Sequence, residues 1–359
     1  MLLPEAAGPH DPLSGTPPRR PGSVRRTSSI DSARPFGLRA DVLVEARARD
    51  LRTGADGSVE ALGTASLRAR IEGPSRRLLS LETTPDVPAL AALVGLRTSS
   101  GFRARLDQVA PSERDANSLL YLLLDDLPGA SLVSGYAMQR GEEGLQKDGG
   151  TSAAPLISAG MVRSDICAGW ASDATIMVTI RDKGVIPTPA GPPAPTLEPP
   201  DDPMAWHEMD PLPPHGMRRR RRLDIVAPNG DGGNAGDPGD LGGPGSGGAR
   251  FELDVHFRDS YVDHAGAESV LHEYTVLGEI DASERRVAQL AARARVLPWT
   301  ECPGAVASAG RLAGMPLAGL RPWVRQELVG VSTCTHLNDT LRSLADVDAL
   351  LEHLAGAST

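Results

Sequence analysis

VLVEARARDLRTGADGSVEALGTASLRARIEGPSRRLLSL, residues 42–81, and FELDVHFRDSYVDHAGAESVLHEYTVLGEIDASERRVAQL, residues 251–290, match without a gap over forty positions at a constant offset of 209. Arg49-Asp50 falls on Arg258-Asp259, Gly57 on Gly266, Leu62 on Leu271, Ile71 on Ile280, Arg76-Arg77 on Arg285-Arg286 and Leu81 on Leu290. Both stretches open with alternation. Val42, Val44, Ala46 and Ala48 pair with Phe251, Leu253, Val255 and Phe257, leaving Glu45 and Arg47 opposite Asp254 and His256 on the other face of a half-buried strand. Working outward, LVG at 93–95 resembles LAG at 312–314, and RRTSSID at 25–31 resembles RRRRRLD at 218–224. An internal duplication is the expectation.

Turn chemistry divides the second copy. DHAG and DASE separate strands expected at 250–259, 268–280 and 285–297, and helices follow at 303–314, 318–329 and 335–355. Leu337, Leu341, Leu344, Val347 and Leu351 give the last of these an apolar stripe. Strands before a run of helices predict an α+β fold of two related units, each an antiparallel β-meander followed by packed helices and joined by Pro/Gly-rich linkers. The expected boundaries are a disordered tail at 1–24, a first unit at 25–137, and a linker at 138–217 with an ordered CAGW block at 155–182. A second unit follows at 218–359, carrying a flexible Gly-rich loop at 228–249. In the CAGW block, the end of DICAGWASDATIMVTI alternates like a strand.

The whole chain has 359 residues and a formal charge of -9, which disfavours a basic nucleic-acid module and gives enough length for a sizeable core. The run Arg218 to Arg222 has no interleaved aromatics and enters a strand, where alternate arginines must face opposite sides. It predicts no nucleic-acid partner, but its bidentate chemistry suits an anionic small molecule. No apolar run approaches a membrane span. Three widely spaced cysteines, Cys167, Cys302 and Cys334, do not form a secreted disulfide framework, so a cytoplasmic protein is expected. Oligomeric state is not legible.

The segments RRTSSID, FELDVHFRD, ESVLHEYTV (268–276), LPWTECPGA (297–305) and above all CTHLNDTLRSL (334–344) resemble a bacterial family known as a domain of unknown function, numbered 2889. Shorter members resemble residues 218–357 alone, which makes this chain a long, duplicated relative. The resemblance implies membership and no activity or cofactor.

Comparing the two copies isolates the chemistry. His272 falls where the first copy has Gly63, Cys302 lies in a segment the first copy lacks, and Cys334 and His336 fall near Asn117 and Leu119. Cys334 immediately precedes a helix, where unpaired amides favour a thiolate. The expected roles are Cys334 as nucleophile, His336 as proton acceptor oriented by Asp339, His272 as a second acid–base group and Cys302 as support. No metal site is read from these residues, because no paired Cys-x-x-Cys knuckle exists. Cys167 and Trp170 are expected to pack as a small buried thiol against an aromatic, with a place in a cleft between the units as the alternative. Asp201 to Glu208 is read as a short helix start carrying His207 and Glu208 as acid–base groups. Asp125-Asp126 is expected to pair with Arg258 or Arg285. These features point to a small-molecule enzyme with a Cys/His site in the second unit, or else to a non-catalytic ligand-binding or assembly protein with structural cysteines.

Overall fold

The computed structural model describes residues 7–143, 151–154, 157, 162–228 and 249–355. Eight strands form one antiparallel sheet: β1 (Ser23–Ala33), β2 (Val42–Thr53), β3 (Val59–Ile71), β4 (Leu78–Thr84), β7 (Met217–Val226), β8 (Arg250–Val262), β9 (Glu268–Asp281) and β10 (Arg286–Val296). Their order is β10-β9-β8-β7-β1-β2-β3-β4, so two four-stranded meanders join through the antiparallel β1–β7 pair at the centre. A two-stranded ribbon, β5 (Thr151–Ser152) and β6 (Val185–Ile186), stands apart. The mixed α and β architecture and the strands of the second meander follow the sequence pattern, with β8 running three residues past its expected end.

The two meanders share local detail. β2 pairs with β3 through a bulge just after Asp50 sits opposite Gly63, and β8 pairs with β9 through a bulge just after Asp259 sits opposite His272. Arg76 and Arg285 both turn with positive φ, at 55° and 51°. Helices Phe102–Val109 and Leu320–Glu327 each begin after a left-handed glycine, Gly101 and Gly319. Each meander buries its own apolar cluster beneath its helices. Val44, Leu67, Phe102 and Leu123 belong to the first, and Val255, Val276, Leu320 and Leu341 to the second.

Between these cores the seam is charged. All ten residues of β7 are buried, including Arg218 to Arg222, and the arginines alternate as a strand requires. On the helix face, Arg219 pairs with Asp259 (2.8 Å) and Asp339 (2.8 Å), and Arg221 with Asp126 (2.6 Å). On the opposite face, Arg218 pairs with Asp31 (2.6 Å), Arg220 with Glu198 (3.1 Å), and Arg222 with Asp254 (2.7 Å) and Asp224.

That opposite face is covered by two segments expected to be free. Residues 7–24 were expected within a disordered tail, yet the Leu13 amide donates to Glu273 Oε1 (2.8 Å), the Leu13 carbonyl accepts from Arg258 (2.5 Å), and His10 bridges to Val296. Residues 187–210, expected as linker, run beside them. The Pro195 carbonyl accepts from Arg258 (2.7 Å), and Trp206 Nε1 donates to Thr16 (2.8 Å). Both segments lack periodicity because their order comes from distant partners, backbone bonds such as Ala194 to Glu268 (2.9 Å) and Asp11 to Arg295 (2.9 Å) together with sheet arginines reaching their carbonyls, and not from local hydrogen bonds. A side chain at Gly191 would overlap the Val270 carbonyl, so the strap formed by residues 187–210 lies directly on β9.

Several expected elements differ. DATIMVTI forms the helix Thr175–Lys183, with Ile176 and Ile180 on one buried side and Glu301 accepting from the Thr175 amide (2.8 Å). Asp201 to Glu208 makes turns, because Asp202 is drawn to Arg19 in a bidentate pair at 2.9 Å. His207 is buried, with Thr27 (2.9 Å) and Ser29 (2.8 Å) on its two nitrogens, and is a strap anchor remote from the candidate site. The helix Leu119–Val133 continues past Asp125-Asp126. The Gly-rich loop at 228–249 lies outside the described residues apart from its two ends.

Asp125 does form ion pairs, but with different partners. Arg325 (2.9 Å), Arg342 (3.0 Å), Arg103 (3.2 Å) and Arg321 (3.5 Å) surround it, while Arg258 pairs with Glu273 and Arg285 with Asp348 and Glu352. Burial pushes its pKa up, but Arg342, Arg103, Arg321 and Arg325 outweigh burial and hold it well below the usual carboxylate range. Asp125→Asn is expected to cost about 3–5 kcal/mol, the range for breaking a buried ion cluster on one side. Denaturant unfolding measures it, and a loss below about 1 kcal/mol would remove this cluster as the tie between the helices of the two halves.

Burial, with Arg49, Arg218, Arg220 and Arg47 adding to it, pushes His207 down to about 3 from 6.5. Its native pKa lies below the unfolded value, so the unfolded chain takes up a proton as pH falls through 6.5 while the native chain stays neutral until about 3. Stability is therefore expected to fall on acidification through this window, by about 1.4 kcal/mol per pH unit from His207. His207→Gln should flatten that slope, and an unchanged slope in unfolding midpoints against pH would contradict the buried neutral imidazole.

Candidate functional site

The site grows from an Arg–Asp pair common to both meanders. Arg26 on β1 sits opposite Asp50 on β2 and grips it at 2.7–2.8 Å, and Arg219 on β7 sits opposite Asp259 on β8 and grips it at 2.8–3.1 Å. Across the bulge the halves part. Gly63 faces Asp50, whereas His272 faces Asp259, bringing Nδ1 to 3.3 Å from Asp259 Oδ2.

His336, the second residue of the helix Thr335–Ser343, stacks on His272 with ring centroids 3.6 Å apart and planes 20° from parallel. Its Nε2 lies 4.0 Å from Asp259 Oδ2, and its Nδ1 lies 3.8 Å from Cys334 Sγ and 3.5 Å from Thr335 Oγ1. His272 and Asp259 are buried, and the His336 side chain is 16% exposed. That exposure opens onto a cleft of about 500 Å³ lined by His336, Asp339, Arg76, Arg103, Arg325 and Arg342.

Burial, then His272 and Arg219, pushes His336 down to about 3 against the opposing pull of Asp259 and Asp339. Asp259 is pushed up by burial, but Arg219 and the imidazoles prevail and hold it below the usual carboxylate range. At neutral pH the cleft floor therefore presents a neutral imidazole with a free lone pair beside an ionised carboxylate, suited to binding an electrophile though weak as a proton acceptor.

Asp339 does not orient His336 as expected. Its carboxylate is taken by Arg219 and Arg342, each at 2.8 Å, because its place one turn along the helix faces β7 and not the imidazole. Asp259 takes that position instead. The sequence contained the signal, since Arg-Asp recurs in both halves while the residue facing it changes from Gly63 to His272.

The thiols lie behind the imidazoles. Cys334 caps the helix Thr335–Ser343 in extended conformation and is 6% exposed. Burial raises its pKa, although Tyr274 and the amides of Leu337 and His336 pull the other way. The amide field expected at a helix start is present, and burial outweighs it. Cys302 begins the 3-10 helix Cys302–Leu312, where a Cβ on Gly169 would come within 2.5 Å of its sulfur. Cys167 is pushed up to about 12, by burial first and the neighbouring Cys334 next. The CAGW block thus packs against the second core and does not line a cleft between the halves. Of the four expected site residues, His272, His336 and Cys334 converge, Cys302 sits behind them in the apolar core, and only His336 lines the cleft.

Arg76 distinguishes the cleft further. Its counterpart Arg285 pairs with Asp348 (2.8 Å) and Glu352, whereas Arg76 has no carboxylate partner among the described residues. Burial and the nearby Arg97 lower its pKa.

Native Cys334 is expected to react slowly with iodoacetamide at neutral pH, and His336→Ala should not change the rate, as peptide mass spectrometry of the quenched protein would show. Rapid labelling that depends on His336 would restore the thiolate reading.

No curated protein matches the chain. A crystal structure of lipopolysaccharide binding protein aligns with 98% of this chain and 77% of that one at 9% identity and a TM-score of 0.15, which carries no argument. Residues 217–349, which hold Asp259, His272, Cys302, Cys334 and His336, match the family described as "Protein of unknown function (DUF2889)". The second meander and its helices are accordingly a member of that family.

Proposed function

We propose that the protein is a small-molecule enzyme acting on an anionic substrate held in the cleft above His336. The observation that carries this reading is the stacked His272–His336 pair beside Asp259 at the floor of an arginine-lined cleft, where the first meander has Gly63 opposite Asp50 and a single imidazole, His353, 3.7 Å from that carboxylate. In this reading His336 offers its lone pair to an electrophilic centre, His272 and Asp259 hold its ring in place, and Arg76 binds the substrate's negative charge. Cys334 and Cys302 pack behind the floor and do not attack the substrate.

The second reading is a non-catalytic ligand-binding or assembly protein. The buried, proton-retaining thiols favour it. The same thiols suit a reducing cytoplasmic compartment.

We also read the two meanders as copies of one ancestral unit. Support comes from the 209-residue offset, the bulges at Asp50 and Asp259, and the left-handed turns at Arg76 and Arg285. Divergence of the two copies explains why the stacked pair of imidazoles stands on one side only, while Asp50 has the single imidazole of His353 nearby.

The experiment is a thermal-shift screen with orthophosphate, phosphate monoesters and dicarboxylates. At least one anion should raise the melting temperature of the wild type, and Arg76→Ala should weaken its binding by about tenfold or more, the loss of one charge-assisted contact of about 1.5–3 kcal/mol. His336→Ala should abolish turnover of the anion identified while leaving its binding largely intact. Binding that survives without turnover in the wild type would favour the second reading, and no anion binding at all would defeat both.

A further inference from the structure

We infer that Asp259, His272 and His336 bind a divalent first-row transition-metal ion, with the remaining coordination positions open to the cleft. Two imidazoles and one carboxylate make a donor set that such ions favour over calcium or magnesium. One donor atom from each residue falls within a group whose members all lie within 4.8 Å of one another. Bonds of about 2.0–2.2 Å to nitrogen and oxygen place the donors of a tetrahedral site about 3.3–3.5 Å apart. His272 Nδ1 and Asp259 Oδ2 are already 3.3 Å apart, and His336, with Nε2 at 4.0 Å from Asp259, has to turn out of its stack on His272 to aim its in-plane lone pair at a shared ion.

A second observation points the same way. His272 Nδ1 is buried and makes no hydrogen bond, although Asp259 Oδ2 stands 3.3 Å away. A buried imidazole nitrogen whose contact with a carboxylate is long and poorly aligned is under-satisfied, and a metal ion between the two bonds both. The surroundings resemble the outer shell of a metal centre. Arg219 holds Asp259 from the side away from the imidazoles, and the other His336 nitrogen faces Thr335 Oγ1 at 3.5 Å. His336 is the one donor that reaches the cleft, so an entering anion meets the open side of the ion.

The first meander supplies an internal control. It keeps the Arg26–Asp50 pair and the bulge but places Gly63 where the second places His272. A chain with glycine at position 272 therefore has a precedent for folding in its own other half.

The inference rests on the cleft reading only for the use of the metal, since binding itself is tested without substrate. Metal-stripped protein is titrated with Zn2+ by calorimetry and with Co2+ by visible absorption. The wild type should take up one ion per chain, show the ligand-field bands of a nitrogen- and oxygen-bound Co2+, and melt at a higher temperature with metal than with chelator. His272→Gly and His336→Gln should each weaken binding by more than about a hundredfold, beyond the loss typical of outer-shell changes. Cys334→Ser should bind as the wild type does. Uptake unchanged in both histidine variants, uptake lost only in Cys334→Ser, thiolate-to-Co2+ charge-transfer bands, or no stoichiometric uptake by the wild type would each overturn the inference. If His272→Gly proves unstable, His336→Gln and the Co2+ spectrum decide. Anion binding to the metal-stripped protein, lost in Arg76→Ala, separates failure of the metal from failure of the cleft.

Discussion

Five consecutive buried arginines at the middle of a sheet are the constraint on which the rest of this structure depends. Leaving even one guanidinium unpaired in such a place costs several kcal/mol, so the fold must bring a carboxylate to each. The acceptors come from β1, β8, the strap, and the helices of both halves: Asp31, Asp254 and Asp259, Glu198, and Asp126 with Asp339. The Pro-rich segments are held for the same reason, because sheet arginines need carbonyls as well as carboxylates. The two apolar cores stabilise each half, while the charged seam fixes how the halves meet.

This seam also accounts for the candidate site. Arg219 is shared between Asp259 and Asp339, so Asp259 remains ionised deep under the helices without titrating. A histidine placed opposite it meets a fixed negative charge in surroundings that exclude most water. The same pair in the first half, Arg26 with Asp50, faces a glycine across the strands and has one imidazole, His353, 3.7 Å from Asp50. Glycine at one bulge and histidine at the other thus separate an ion pair faced by backbone from one faced by stacked imidazoles.

Strands β8, β9 and β10 were legible because alternation and turn formers are local signals, and the ions of β7 were legible as alternating faces. The strap was not, since proline-rich chain carries no period and its partners lie far away in sequence. Residues 175–183 misled because Ile176, Val178 and Ile180 satisfy a period of two, while burial of Ile176 and Ile180 follows a helical spacing. His272 and His336 were found by comparing the halves. Asp259 was overlooked as chemistry because its identity with Asp50 marked it as scaffold. Cys334 shows the opposite error: the amide field at a helix start is readable in sequence, but the depth of burial that overrides it is not.

The central β1–β7 pairing has a consequence for any chain made of residues 217–349 alone. Such a chain would end its sheet at β7, a ten-residue strand with its outer row of backbone donors and acceptors unmatched. Antiparallel edges are self-complementary about a two-fold axis, so two copies could satisfy each other as β1 and β7 do here. Asp31 and the other acids that β1 and its half now supply would then have to come from the second copy. Covalent joining of two halves removes the concentration dependence of that encounter and frees one of them to diverge.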